Sequence, residues 1–85
     1  MTKTRLIVGN LPKDANEALL RLAFENEGRR VQSVALVTDE ATGRFLGRAY
    51  VDMASEEDLQ AAIAALDGSD LDGRTLVVHA AERED

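Results

Sequence analysis

The stretch that decides the fold of this 85-residue chain is LGRAYVDM, residues 46–53. Successive side chains of a β-strand point to opposite faces of the sheet. Ala49 and Val51 are therefore predicted to face a hydrophobic core, while Arg48 and Tyr50 face away from it. Residues 47–53 are predicted to form a strand that has one buried face and one open face.

Five further elements are predicted around this strand. Short β-branched segments predict strands at residues 5–9, 31–37 and 75–80. Asn16 and Ser55 are suited to cap helices that run to about Glu27 and to about Leu66. The Arg29-Arg30 pair that follows the first helix is expected to belong to a charged loop without a specific role. The order is strand, helix, strand, strand, helix, strand, which predicts an α+β fold of the ferredoxin-like βαββαβ type. A chain this short has helices for only one face of the four-stranded antiparallel sheet.

Length and composition limit the classes of protein that this chain can belong to. Eighty-five residues predict a single domain, with a core at residues 4–80 and a charged, frayed tail at residues 81–85. The absence of cysteine excludes disulfides and thiolate metal sites, and it favours a cytoplasmic location. No apolar run is long enough to span a bilayer, and no secretory signal is visible, so no membrane partner is expected.

From residue 3 to residue 81 the chain resembles the RNA recognition motif family, in particular its compact single-domain members in bacteria. Residues 46–53 nearly fit the motif K/R-G-F/Y-G/A-F-V-x-F/Y, and LIVGNL at residues 6–11 is similar to the partner motif on the neighbouring strand. Members of this family bind single-stranded RNA by stacking bases on aromatic side chains of the open sheet face. The resemblance implies that Ile7, Arg48 and Tyr50 occupy the three stacking positions, where only Tyr50 is aromatic.

The remaining candidate RNA contacts follow from the alternation of each strand and from the position of the cations. Val77 and His79 are expected on the open face, together with Ala35, Val37 and Thr75. Lys3, Arg5, Arg44 and Arg74 are expected at its rim, where they would meet phosphates. Asp52 is the one acid expected on the face itself.

The predicted function is therefore weak, salt-sensitive binding of single-stranded RNA. Stacking on an aromatic ring contributes ~1–3 kcal/mol per base, so the lack of two rings weakens binding by ~2–6 kcal/mol. The guanidinium plane of Arg48 restores part of this, because it also stacks on bases. The net charge of −6 opposes tight binding, since phosphate neutralisation dominates affinity for nucleic acids. Six of the sixteen acids, however, fall on or at the predicted helices, away from the open face.

A second hypothesis belongs to a different class of function. Leu19 and Leu22 lie on a stripe of the first helix beside the one that faces the core. Two leucines there form either an exposed patch for a protein partner or a homodimer, or a wider contact with the core. In the first case the fold serves protein binding, and RNA binding is reduced or lost.

Catalysis is not expected from this sequence. His79 is the only histidine, there is no cysteine, and there is no phosphate-binding loop of the G-x-x-x-x-G-K-S/T type. No spacing of metal ligands of the zinc type occurs. The sequence thus predicts neither an enzyme, nor a cofactor, nor a bound metal.

Overall fold

The structure, a computed structural model, describes residues 4–81. The helices are α1 (Glu17–Glu25), followed by a 3-10 turn (Asn26–Gly28), and α2 (Glu56–Leu66). The strands are β1 (Arg5–Gly9), β2 (Val31–Thr38), β3 (Phe45–Met53), β4 (Asp70–Leu71), β5 (Arg74–Thr75) and β6 (Val77–Ala80). The frayed tail predicted at residues 81–85 falls, apart from Ala81, outside the described residues, as does the rim position predicted for Lys3.

Four strands form one antiparallel sheet in the order β2-β3-β1-β6. The two strands that carry the motifs, β1 and β3, therefore lie at its centre. Both helices pack on the same side of the sheet, α1 against β2 and α2 against β3 and β6. This confirms the predicted ferredoxin-like α+β fold, with a four-stranded sheet and one face free of helices.

The hydrophobic core lies between the helices and the sheet. The sheet contributes alternate side chains to this core, because every second residue of β1 and of the second half of β3 is fully buried. The largest fully buried side chains are those of Phe24, Leu6, Leu20, Met53, Leu76, Val8, Val51 and Val78. The core thus fixes which residues of β1 and β3 remain for the opposite face.

Both helices begin where their capping residues predict. The Asn16 side chain accepts a hydrogen bond from the Leu19 amide at 2.9 Å, and the Ser55 hydroxyl accepts one from the Asp58 amide at 3.1 Å. Each bond satisfies one of the amides that a helix leaves free in its first turn. Neither helix in the described part of the chain has the length and apolar composition that crossing a bilayer requires.

The end of α1 differs from the prediction. The α-helix stops at Glu25, and Glu27 and Gly28 both have positive φ, 64° and 84°. Arg29 was expected to be part of a charged loop without a specific role, but it is buried, with 7% of its surface accessible. Its guanidinium donates to the carbonyls of Phe24 at 3.0 Å and Ala23 at 3.1 Å, so a cation caps the negative end of the helix dipole.

The last predicted strand, residues 75–80, is divided between two short strands, β5 and β6. Asp72 and Gly73 have φ of 53° and 84°, the geometry of a tight hairpin turn with two left-handed residues. This turn pairs Arg74–Thr75 with Asp70–Leu71 in a small separate sheet, and the chain joins the main sheet only at Val77. The expectation that Thr75 lies on the open face is therefore wrong.

Candidate nucleic-acid interface

A row of four residues crosses the centre of the open face. Tyr50 on β3 pairs with Ala35 on β2 and with Ile7 on β1, and Ile7 pairs with His79 on β6. Tyr50 retains 38% of its accessible surface. His79 is exposed and Ile7 is half-buried. The structure thus brings three of the predicted RNA contacts side by side.

Arg48 and Val77 lie on the same strands as Tyr50 and His79, each two residues earlier in the chain. Arg48 is exposed, and it lines a depression of about 160 Å³ whose other walls are Ile7, Val37, Ala49 and Tyr50. Val77 is 47% exposed and pairs with Gly9. The depression therefore has an aromatic ring on one side, a guanidinium on another and aliphatic side chains between them.

Arg5 and Asp52 form an ion pair on the other side of the row. Nε of Arg5 lies 2.9 Å from Oδ1 of Asp52, and Nη2 lies 3.3 Å from Oδ2. The Ser33 hydroxyl donates to the same Oδ2 at 2.9 Å. The hydrogen bond from Arg5 lowers the pKa of Asp52 most, burial opposes that shift, and the bond from Ser33 adds to it. The same pairing raises the pKa of Arg5.

This ion pair holds the Arg5 guanidinium beside the Tyr50 ring. The guanidinium carbon lies 5.4 Å from the ring centroid, within the range of a cation–π contact. Arg5 therefore differs from the rim cation that was predicted, because its charge is paired with Asp52 and its side chain covers part of the ring. Asp52 in turn is a weaker source of repulsion for phosphate than an unpaired carboxylate would be.

Arg44 lies beyond the sheet face, in the turn between β2 and β3. It is exposed and lines a cleft at the end of the sheet where β1 ends and β3 begins. Arg74, also predicted at the rim, lines the same cleft. Of the cations predicted at or near the face, Arg5 thus lies beside the Tyr50 row and Arg48 lines the depression. Arg44 and Arg74 line the cleft.

The leucine pair of α1 is separated by the structure. Leu19 is half-buried and packs against the core, whereas Leu22 is 71% exposed. The helices also carry many of the acids, including Glu17 in the first turn of α1 and Glu56, Glu57 and Asp58 in the first turn of α2. These four acids lie on the helical side of the sheet, away from the open face.

Two residues of this surface were missed in the sequence. Ser33 becomes a partner of Asp52 only through the pairing of β2 with β3, which places them opposite each other. Lys13 lines the cleft with Arg44 and Arg74, although the three are far apart in sequence. The alternation of β2 could have placed Ser33 on the open face, but no local pattern marks Lys13.

An open four-stranded sheet, with a ring, a guanidinium and aliphatic residues on its two central strands, defines a class of single-stranded nucleic-acid binding surfaces. The family model described as RNA recognition motif matches residues 6–77. The chain belongs to the RNA recognition motif family. Members of this family that bind RNA are generally not enzymes.

Solved structures and curated proteins agree with this assignment. The crystal structure of an RNA-binding protein designated PG1 superposes with a TM-score of 0.87 at 32% identity, covering 98% of this chain and 99% of that one. A Sxl-lethal protein/RNA complex superposes with a TM-score of 0.88 at 33% identity, covering 99% of this chain and 50% of that one. A 28 kDa chloroplastic ribonucleoprotein of Nicotiana sylvestris is 46% identical over 78 residues, which are 92% of this chain and 28% of the relative.

These comparisons support RNA binding and do not favour the alternative of a fold used only for protein contacts. They contradict the predicted cytoplasmic location, because that ribonucleoprotein and three further curated relatives are chloroplastic. The absence of cysteine was the reason for that prediction, and it does not distinguish one reducing compartment from another. The chain spans about a quarter to a third of the length of these relatives.

Proposed function

We propose that this chain is one RNA-binding module, with its core at residues 4–80, that binds single-stranded RNA weakly on the open face of its sheet. The observation that carries the proposal is the position of Tyr50, exposed at the centre of the sheet between Ala35 and Ile7. One base stacks on this ring. A second lies in the depression between Tyr50 and Arg48, where the guanidinium plane and the side chain of Ile7 replace the missing rings.

The weakness of binding follows from the same composition. Each absent ring removes ~1–3 kcal/mol of stacking, and Arg48 returns only part of it. Arg5 adds a further cost, because a base that stacks on Tyr50 competes with the guanidinium that already lies 5.4 Å from the ring centroid. We therefore expect Kd values of about 1 µM or higher for unstructured oligomers. This corresponds to a binding free energy no more favourable than about −8.2 kcal/mol.

Neither catalysis nor a protein partner is needed to account for this surface. Leu22 is the exposed member of the leucine pair, and Leu19 is engaged with the core. A single exposed leucine is common on monomeric proteins. A protein-binding role for the helical side therefore stays a prediction without a specific observation in its favour, and we propose a non-enzymatic module that acts through its sheet.

The test is a titration of labelled, unstructured RNA oligomers by fluorescence anisotropy at low salt. Tyr50→Ala is expected to raise Kd by about 5-fold to 150-fold, the equivalent of ~1–3 kcal/mol of lost stacking. Tyr50→Phe keeps the ring and is expected to bind nearly as the parent does. Arg48→Gln is expected to weaken binding, because it removes both a stacking plane and a positive charge.

Arg21→Gln is the matched control for loss of charge. Arg21 lies on α1, paired with Glu17 and Glu25, on the side of the sheet away from the proposed interface. It is expected to leave Kd within about 2-fold of the parent value, because Arg21 contacts no part of the open face and its charge is already offset by two carboxylates. Equal effects of Arg21→Gln and Arg48→Gln, or no effect of Tyr50→Ala, would refute binding on the open face.

A further inference from the structure

The two edges of the four-stranded sheet are protected to different degrees. β6 forms one edge; it is four residues long, and its Val78 amide donates a hydrogen bond to Oδ1 of Asp67 at 3.0 Å. β2 forms the other edge and is eight residues long. Proteins usually protect sheet edges, because the unpaired amides and carbonyls of an edge strand bind other strands. The β2 edge is therefore the place at which this sheet is able to extend.

The hydrogen bonds of β3 fix the direction of the backbone groups of β2. The Met53 amide donates to the Thr4 carbonyl at 2.8 Å, so Met53 directs its backbone groups towards β1. This direction alternates along an antiparallel strand, so Tyr50 directs its backbone groups towards β2, where it pairs with Ala35. The two residues on either side of Ala35 therefore direct their amides and carbonyls out of the sheet; they are Val34 and Leu36.

The two ends of β2 limit the part of the edge that is open. At the end of the strand the Asp39 amide donates to the Arg44 carbonyl at 2.8 Å, so the preceding residue, Thr38, also directs its backbone groups outward. At the start, the Val31 carbonyl accepts a hydrogen bond from Nη1 of Arg21 at 3.4 Å. Within residues 4–81 no backbone or side-chain group bonds to the outward side of residues 34–38. This segment is the open edge.

The open edge also lacks the side chains that normally oppose strand pairing. Residues 31–38, VQSVALVT, contain no charged residue and no proline, although charged residues make up 31% of the chain. Val34 and Leu36 pack against the core, whereas Ala35 and Val37 lie on the open face. Charged residues and proline are the usual means by which an edge strand avoids other strands. The segment is thus suited to pair with another uncharged, extended strand.

We propose that the open edge of β2 binds the same edge of a second copy of this chain, so that two sheets join into one. Antiparallel pairing about a two-fold axis at Leu36 places Val34 opposite Thr38 of the second copy and Leu36 opposite its own counterpart. Each of these pairs exchanges two hydrogen bonds, because all three residues direct both backbone groups outward. On the open face Ala35 meets Val37 of the second copy. The segment is thus complementary to itself, as a two-fold interface requires.

The charges near this edge determine how the pairing depends on salt. Asp39 lies opposite Ser33 of the second copy in this register, so the two Asp39 carboxylates do not face each other. Four acids nevertheless lie near the edge; they are Glu17 and Glu25 on α1, which packs against β2, and Asp39 and Glu40 in the turn after β2. Each copy carries a net charge of −6, and salt screens the resulting repulsion. Self-association is therefore expected to strengthen with salt, whereas RNA binding weakens.

One pair of short strands makes a small interface. Stable protein interfaces bury about 1,200–2,000 Å² in total, and pairing over residues 34–38 buries much less. A dissociation constant on the order of 0.1–1 mM is therefore expected, as for a transient contact. The proposed RNA binding does not depend on this contact, and the experiments that test the contact contain no RNA.

The first experiment is sedimentation equilibrium of the full chain between about 10 µM and about 1 mM, at low and at high salt. The average mass of the parent is expected to rise from monomer towards dimer, and more so at high salt. Thr38→Lys is expected to raise the dissociation constant by roughly 10-fold or more, because an edge lysine opposes strand pairing. Thr38→Pro removes the outward amide without adding charge and is expected to act in the same direction. Gln60→Lys is the matched control, since it makes the same change of charge at an exposed position of α2.

Hydrogen exchange at individual amides shows whether the backbone of β2 makes the contact. The amides of Val34, Leu36 and Thr38 are expected to exchange more slowly as the protein concentration rises. The Ala35 amide is bonded to β3, so its exchange is expected to be slow at every concentration, and it serves as an internal control. Thr38→Lys is expected to abolish the concentration dependence, whereas Gln60→Lys is expected to leave it unchanged.

Two results would overturn the proposal. One is a chain that stays monomeric at every concentration and salt. The other is self-association that survives Thr38→Lys but is lost in Leu22→Glu, which would place the contact on the helical side. Circular dichroism and thermal unfolding check that Thr38→Lys retains the fold, as expected for an exposed side chain at the end of a strand. Neither result bears on RNA binding, which the Tyr50 variants test separately.

Discussion

The Tyr50 ring is shared between two roles. One part of it is available to a base, and another part is covered by the guanidinium of Arg5, which Asp52 and Ser33 hold in place. An arginine fixed in this way is a preorganised plane, and it loses little side-chain freedom if a base stacks against it. Asp52, the acid that the sequence places on the face, thus orients a cation beside Tyr50, whose ring lies on the open face.

The Arg5–Asp52 pair also makes folding depend on pH. The pKa of Asp52 is lowered in the folded state, chiefly by the hydrogen bond from Arg5. In the range between the folded and unfolded pKa values the unfolded chain binds more protons, so stability rises with pH. The contribution is complete above the unfolded pKa of about 3.9, and it is lost as pH falls through the folded pKa.

Urea denaturation of the parent and of Asp52→Asn between pH 2 and pH 7 measures this effect. The parent is expected to be more stable by ~0.2–1 kcal/mol near pH 6, a small value because both partners are partly exposed. The difference is expected to shrink towards zero near pH 2. Arg5→Gln is expected to reproduce the pattern, and a difference that stays constant over the whole range would contradict it.

At the scale of the elements, β3 depends on a single left-handed residue. Gly47 has φ of 79°, and the buried alternation of β3 begins only after it, at Ala49. Residues with a Cβ adopt this conformation at a cost of roughly 1–2 kcal/mol. The glycine of the motif is thus required by the backbone at the entry to β3, next to Arg48 and to the cleft.

Gly47→Ala is therefore expected to lower the free energy of unfolding by ~1–2 kcal/mol, as strain alone predicts. A Cβ at this position would lie 3.9 Å from the Leu11 carbonyl oxygen, an ordinary contact, so no steric clash adds to the cost. Gly9→Ala is the matched control. Its Cβ would lie 3.9 Å from that of Val77 and its φ is not positive, so a change within ~0.5 kcal/mol is expected. Equal losses in urea denaturation would exclude backbone strain as the reason for Gly47.

At the scale of the whole molecule, the charges of the described residues are unevenly distributed. The first turns of both helices carry acids, and the cations without an ion pair in the described chain lie on the open face or in the cleft. Net charge therefore underestimates the attraction that RNA experiences near the sheet, because the potential at a surface depends on nearby charges. This arrangement reconciles a net charge of −6 with membership of an RNA-binding family.

The salt dependence of RNA binding tests this arrangement. If Lys13, Arg44, Arg48 and Arg74 each neutralise one phosphate, log K is expected to fall against log salt with a slope of about −3, at ~0.7 per contact with single-stranded RNA. Binding through Arg48 alone would give a slope of about −0.7. A slope near zero would show that phosphate contacts contribute little, and the cation clusters would then have no role in binding.

The sequence predicted the fold because its signals are local. Period-two alternation in β1 and β3 and the capping side chains of Asn16 and Ser55 each act within a few residues of the position they specify. The resemblance to the RNA recognition motif family then assigned the motifs around Ile7, Arg48 and Tyr50 to two neighbouring central strands. The start of the last strand was predicted less accurately. The turn at Asp72-Gly73 pairs Arg74–Thr75 with Asp70–Leu71, so these residues do not join the main sheet.

Sequence by itself determined the order of the helices and strands and the side chains that β1 and β3 turn away from the core, because hydrophobic burial selects one face of each strand. The family resemblance indicated which two strands are central. Tertiary structure alone decided which charges far apart in the sequence come together. Examples are the contacts of Asp52 with Arg5 and with Ser33, and the meeting of Lys13, Arg44 and Arg74 in the cleft. These residues are joined through space and not by local sequence periodicity. The electrostatics of an interface are set by such distances, and only the folded chain fixes them.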